Sequence, residues 1–415
     1  MATDGAPHPT RRDFLAASVA AAVSAASPAS AAATAEEWRN RQPGMTYRRL
    51  GRTGYMISSI GMGGDDIRPD NIDQVLWSAD LGLNYFDTAP NYGNGLSEKG
   101  YALVHKQRGR DKFFQSTKVN VFPNRTMTYQ RLFRSLTEDE QAKITTQADD
   151  EIKTKKLAEP GYLGPYFNGQ EGGMRMAIIA NLLSQKYADK VDAQKVVKQY
   201  ILDSVEGSLR SLETDHLDCL LMRGIETPYE VAHTQEVFEA FETLRKAGKA
   251  RFLGFSAHSD PAGVLDAAID TGQYSIGLIA YHFLNAKRVD PVIEKARKAE
   301  FGVLCMKAGR VIQNPFNRRE NIPERVETLN KLIPGDSLTL MQKGFTFALR
   351  NQNLSGVVIG MTTLDQAKQN IPLALAKARA EHLARGCAVQ QVSRCQNRFP
   401  SGGRLRGRTL RILSC

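Results

Sequence analysis

Asp87, Tyr92 and Lys118 have side chains suited to moving a proton, and they stand near the ends of two β-rich runs. Their contexts are Asn84-Tyr85-Phe86-Asp87-Thr88-Ala89-Pro90-Asn91-Tyr92-Gly93 and Ser116-Thr117-Lys118. An ammonium beside a phenol favours the phenolate, and a carboxylate paired with that ammonium keeps it charged and fixed, so the tyrosine becomes a usable acid near neutral pH. Taken singly, each residue has a plainer reading: an Asp after a strand caps a loop, a Tyr packs, and a Lys is solvated. Only their joint placement points to acid–base chemistry.

That placement depends on the elements carrying them. Past Met45, short β-rich runs alternate with longer segments of helical period, the pattern of βα units on a parallel sheet. Eight runs are predicted at 58–63, 85–90, 112–118, 217–222, 252–257, 278–284, 302–307 and 356–361, with helices at 71–81, 197–212, 237–247, 263–270 and 338–350. Eight such units closing on themselves make an α/β fold, the (β/α)8 TIM barrel, here assigned to 45–375. Residues 46–57 read as a hairpin turning at Gly51-Arg52-Thr53-Gly54 and closing the barrel bottom. Residues 121–195 form a long insertion after strand three, far longer than a βα connection needs, and hold the Gly/Pro-punctuated run 159–169. It leaves from the C-terminal face, where barrel enzymes keep their active sites, and reads either as a lid or as a helical decoration beside the barrel.

The chain has 415 residues, 42% hydrophobic and 24% charged, an ordinary soluble composition. Its five cysteines form no C-x-x-C pair, so neither a disulfide scaffold nor a metal site is expected. The net charge of +11 is concentrated: residues 376–415 carry nine Lys and Arg against Glu381 alone, which is +8. This tail reads as disordered, the body is near neutral, and nucleic acid is not an expected partner. At the other end, Thr10-Arg11-Arg12-Asp13-Phe14-Leu15 precedes an alanine-rich run and the small-residue site Ala29-Ser30-Ala31. Residues 1–35 therefore read as a twin-arginine signal peptide. The run is too short and mild to span a bilayer. Export machinery is the expected partner, and the periplasm or the exterior the expected destination.

With these residues in place, the sequence resembles the aldo-keto reductase family from Tyr47 to about Leu375, apart from the insertion. The motifs carrying the resemblance are Leu50-Gly51-Arg52-Thr53-Gly54, Ile60-Gly61-Met62-Gly63-Gly64, Phe86-Asp87-Thr88-Ala89 with Tyr92-Gly93, and Ser116-Thr117-Lys118. Gly248-Lys249-Ala250-Arg251-Phe252-Leu253-Gly254-Phe255-Ser256 and Val358-Ile359-Gly360-Met361-Thr362-Thr363 continue it. The resemblance implies hydride transfer between NADP(H), or NAD(H), and a small carbonyl or alcohol substrate. Tyr92 is then the proton donor, Lys118 tunes it, and Asp87 supports Lys118. It further implies a dinucleotide held by Gly63, Ser256, Met306, Lys307, Gly360, Met361 and Thr362, with Gln366, Gln369 and Asn370 toward the adenosine end. No G-x-G-x-x-G follows a strand, which disfavours a Rossmann domain.

One position departs from the family pattern. Relatives place a histidine five residues after the strand-four aspartate to orient the substrate carbonyl, and counting from Asp218 reaches Arg223. A guanidinium can serve a carbonyl oxygen or a carboxylate. The alternatives are a register one residue off, which leaves Met222 and no donor, or an arginine turned to solvent. His258 and His282 are further candidates for the mouth. Two functions follow: a working carbonyl oxidoreductase, or a cofactor-binding protein that no longer turns over.

Overall fold

The computed structural model describes residues 35–376 except 165. Eight parallel strands close into a barrel: β1 Ile60–Gly63, β2 Tyr85–Asp87, β3 Phe114–Val119, β4 Leu217–Ile225, β5 Ala250–Ala257, β6 Ile276–Ala280, β7 Gly302–Met306 and β8 Gly356–Gly360. All eight runs expected from the sequence are present, with shifted ends. The sixth stops at Ala280, because Tyr281 to Leu284 leave the ladder for a turn in which Asn285 Oδ1 accepts from the His282 amide. The barrel strands are buried on both sides, as parallel strands under helices must be, and so read as apolar runs rather than alternating ones.

Helices cover the outside. They include α1 Asp73–Asp80, α2 Ser97–Arg108, α3 Val121–Arg134, α4 Glu138–Thr154, α5 Gln170–Lys186 and α6 Tyr200–Leu212. Then come α7 Pro228–His233, α8 Gln235–Lys246, α9 Pro261–Thr271, α10 Ala286–Lys298, α11 Pro323–Leu332, α12 Leu340–Arg350 and α13 Leu364–Asn370. The insertion is thus three helices, α3 to α5, before the ordinary crossover α6. Among the described residues no helix is long and apolar enough to cross a membrane.

The expected hairpin pairs Tyr47–Arg49 with Tyr55–Ser58, and a further short strand, Glu37–Trp38, runs parallel to the second of these. It sits under the N-terminal ends of the barrel strands: Arg52 N donates to the Glu300 carbonyl just before β7. The segment is fastened there by charge. Arg39 and Arg110 both reach the buried Asp218 at the start of β4, at 3.0 and 2.8 Å. Burial pushes the Asp218 carboxyl up, but the two guanidinium groups outweigh it and hold it below the usual range. The signal-peptide reading of 1–35 and the tail reading of 376–415 lie almost wholly outside the described residues.

Candidate active site

Register brings the proton-moving residues together. Asp87 ends β2 opposite Ser116 of β3, and Lys118 lies two residues further on, almost fully buried. Lys118 Nζ donates to Asp87 Oδ2 at 2.6 Å and to the Thr88 carbonyl at 2.8 Å, and Ser116 Oγ donates to Asp87 Oδ1 at 3.2 Å. Both carboxylate oxygens are thereby held, which a buried charge requires. Tyr92 begins a tight turn, Tyr92–Gly95, in which Gly93 has φ +56. A side chain at Gly93 would strike the Ile67 carbonyl, so only glycine lets the chain turn here and present Tyr92 to the mouth. The Lys118 ammonium lies 4.5 Å from the centre of the Tyr92 ring.

Arg223 arrives from β4 through a bulge. The pairing with β5 shifts between Arg223 and Ile225, and Gly224 between them has φ +75. A Cβ on Gly224 would lie 2.5 Å from Pro123 Cδ of α3, so the strand end and the insertion touch backbone to ring. Arg223 Nη1 donates to Asn91 Oδ1 at 2.7 Å and to Asn120 Oδ1 at 3.3 Å, and its Cζ stands 5.3 Å from the centre of the Tyr92 ring. The partly exposed guanidinium lines the cleft, and Met222 is fully buried in the core. Its partners are neutral amides, so its charge is not cancelled.

The two extra histidines separate. His258 lines the cleft, where burial and then the cations Lys307, Arg223 and Lys118 hold its imidazole well below the ordinary range and therefore neutral. His282 is fully buried and shares a 2.7 Å hydrogen bond between Nε2 and the Tyr166 hydroxyl; it does not line the cleft.

The cleft has a volume of about 600 Å³. Tyr92, Arg223 and His258 form its barrel side, while Asn124 and Met127 of α3 and Phe167 of the run 159–169 form its outer wall. The insertion is therefore part of the site. It is anchored to the barrel mouth by the Tyr162 hydroxyl on the Asp260 carboxylate, by Tyr166 on His282, and by Arg288 lying 3.6 Å over the Tyr162 ring. Arg125 of α3 donates to Asn181 of α5 at 2.9 Å, and Asn181 to Thr227 just past β4 at 2.8 Å.

Sequence reasoning did not single out Glu226, which also lines the cleft. Burial pushes its carboxyl up to about 7, with Ser259 pulling down and Glu230 adding to the rise. Its only sequence signal is an acid three residues after Arg223 at a strand end. Asn91 and Asn120, which hold Arg223, were equally silent.

The expected dinucleotide residues are spread around the mouth, with Lys307 lining the cleft itself. Gly63 and Gly360 pair at the ends of β1 and β8, and the space beside Gly360 is open. Ser256, one residue before the end of β5, pairs with Arg223, and Met306 ends β7. Lys307 follows in the left-handed region at φ +65, and Thr362 donates to Gln366 Oε1 from both N (2.8 Å) and Oγ1 (3.2 Å). Gln369 gives its carbonyl to Gln342, Asn370 ends α13, and Met361 is buried in the core. The donor set fits an anionic dinucleotide: Lys307 is pushed down to about 8 by burial, with Asp65 opposing and Arg318, Arg310 and Arg223 adding to the fall. Cations crowded in this way attract a phosphate-bearing group.

Comparison with known proteins agrees with the barrel fold. The sequence model of the Aldo/keto reductase family matches residues 67–149 and 175–385, breaking within the insertion. An L-galactose dehydrogenase from Arabidopsis thaliana is 22% identical over 78% of this chain and 86% of its own length. An uncharacterized oxidoreductase, YrpG, from Bacillus subtilis is 21% identical over 79% and 90%. Among solved structures, the holo form of aldo-keto reductase AKR11C1 from Bacillus halodurans shares the fold with a TM-score of 0.52 at 20% identity, over 82% of this chain and 96% of that one. The matched residues carry seven of the eight barrel strands and the mouth with Asp87, Tyr92 and Lys118, and the chain belongs to the aldo/keto reductase family of oxidoreductases.

Proposed function

We propose that this protein is an NAD(P)H-dependent reductase of aldehydes or ketones, equally a dehydrogenase of the corresponding alcohols, with Tyr92 as its proton donor. The observation that carries the reading is the Lys118 ammonium, fixed on Asp87 at 2.6 Å and set 4.5 Å from the centre of a Tyr92 ring that faces the cleft. A bound nicotinamide dinucleotide supplies the hydride to the carbonyl carbon. Tyr92 gives its proton to the carbonyl oxygen, and Lys118 stabilises the phenolate left behind. Arg223 is the second donor to that oxygen, which gains negative charge in the transition state. Gly63, Ser256, Met306, Lys307, Gly360, Met361, Thr362, Gln366, Gln369 and Asn370 hold the dinucleotide, NADP foremost and NAD as the alternative.

The test adds NADPH to purified protein, follows nicotinamide fluorescence, and then follows NADPH consumption with a panel of aldehydes and ketones. A fluorescence shift and consumption by wild type, with consumption abolished and the shift kept in Tyr92→Phe, is the expected result. A shift without consumption by any substrate favours the non-catalytic cofactor-binding protein instead. No shift at all sinks both readings.

We also propose export in the folded state to the periplasm or exterior, on the strength of Arg11-Arg12 ahead of the alanine-rich run. Lysine at both positions should leave unprocessed precursor in the cytoplasm; unchanged export refutes the assignment.

A further inference from the structure

Asn120 stands at the N-cap of α3, the first helix of the insertion, yet its side chain caps none of that helix's amides. An asparagine at this position ordinarily accepts from an amide of the first turn. Thr137, Asp260, Thr339 and Thr363 do so at the starts of α4, α9, α12 and α13. Asn120 Oδ1 instead accepts from Arg223 Nη1 at 3.3 Å, inside the cleft that both residues line. Asn91, one residue before Tyr92, accepts from the same nitrogen at 2.7 Å. A side chain suited to stabilising its own helix is thus turned to a guanidinium 5.3 Å from the centre of the Tyr92 ring.

The neutrality of the amide is the second clue. An aspartate at 120 would accept the same hydrogen bond more strongly and would suit the positive end of α3, so on stability alone the acid is the better residue. What an acid would remove is the Arg223 charge. That charge is felt in the cleft: the His258 imidazole is held well below its ordinary range by burial first, and then by Lys307, Arg223 and Lys118. We infer that Asn120 is a positioning residue, which holds Arg223 beside Tyr92 with an uncharged acceptor so that the guanidinium keeps both its direction and its charge for the carbonyl oxygen. The inference rests on the reading of this cleft as the carbonyl site.

The test measures kcat, on the best substrate of the aldehyde and ketone panel, and thermal midpoint for wild type, Asn120→Ala, Asn120→Asp, Arg223→Met and the double variant Asn120→Ala/Arg223→Met. Asn120→Ala removes the hold but no cap, so kcat should fall about 10- to 100-fold at an unchanged midpoint, the size of a lost hydrogen bond to a charged group. Asn120→Asp should keep or raise the midpoint and still lower kcat, and it decides the matter if the alanine variant does not fold. On the Arg223→Met background Asn120→Ala should cost nothing further, because the group it positions is gone. A kcat equal to wild type in the folded Asn120 variants, or the same loss on both backgrounds, overturns the inference. If wild type consumes no carbonyl compound, the reductase reading fails on that count alone, and the hold is read on the protein itself. The nitrogen NMR signal of the Arg223 guanidinium, identified by its absence in Arg223→Met, should move in both Asn120 variants; a signal unmoved in both overturns the hold.

Discussion

In the proposed reaction Arg223 does a different job from the histidine that the family pattern puts at its position. A neutral imidazole offers one donor, whereas a guanidinium offers several and a permanent charge. Here Nη1 is spent on two asparagine side chains, which fix the plane of the group beside Tyr92 without cancelling its charge. Removing one donor aimed at a developing oxyanion typically costs about 10²- to 10³-fold in rate. Arg223→Met should therefore lower kcat by roughly that factor while NADPH still shifts its fluorescence on binding. Turnover as fast as wild type would mean that another group, His258 first, holds the oxygen. Arg223→His is the complementary variant and should recover much of the loss on a neutral aldehyde.

At the scale of elements, the bulge at Gly224 sets where Arg223 points. Strand β4 must release its pairing with β5 there, and it does so against Pro123 of the insertion. Gly224→Ala places a Cβ at a positive φ and within 2.5 Å of the proline ring, so the backbone must shift. We expect a loss of about 1–3 kcal/mol in stability, read as a lower thermal midpoint, with a larger fall in kcat than in cofactor affinity. A thermal midpoint equal to wild type would show that the contact yields without strain. This junction also separates what the sequence reveals from what it hides. Asp87, Tyr92 and Lys118 could be singled out because each lies at or just beyond a strand end, and the βα alternation alone sets those ends at one mouth. Arg223 was legible as a position but not as a direction. Glu226, Asn91 and Asn120 were not legible, because what draws them to the mouth is contact between residues far apart in the chain. The insertion was visible by its length, yet its role as a wall depends on Tyr162, Tyr166 and Asn181 finding partners after strands four, five and six.

The molecule as a whole keeps several imidazoles neutral inside its fold, and this fixes its response to acid. Burial, with Arg110 adding to it, pushes His105 down from 6.5 to about 3, and burial with Arg325 does the same to His282. His258 moves in the same direction. These groups protonate in the unfolded chain near 6.5 but not in the folded one. The unfolded state is then the better proton binder below that value, so stability is complete above about pH 6.5 and is lost as pH falls toward 3. Each such histidine costs about 2 kcal/mol between pH 6.5 and 5. Glu226 acts oppositely: raised to about 7, it favours the folded state as pH falls from 7 toward the ordinary carboxyl range, and it offsets one histidine. Glu98, Glu230 and Asp290, each raised chiefly by burial, act in the same direction as Glu226 and add to that offset. His105 is the cleanest place to see the histidine effect, since it lies away from the cleft, its ring 6.2 Å from that of Phe86 and 6.0 Å from that of Phe113. In His105→Phe the fall in urea midpoint between pH 6.5 and 5 should shrink by the equivalent of about 2 kcal/mol, whatever the substitution does to stability at pH 8. Midpoints measured at pH 8, 6.5, 5.5 and 5 for both proteins give the comparison directly. Parallel curves would show that His105 takes up its proton inside the fold and that the acid sensitivity arises elsewhere.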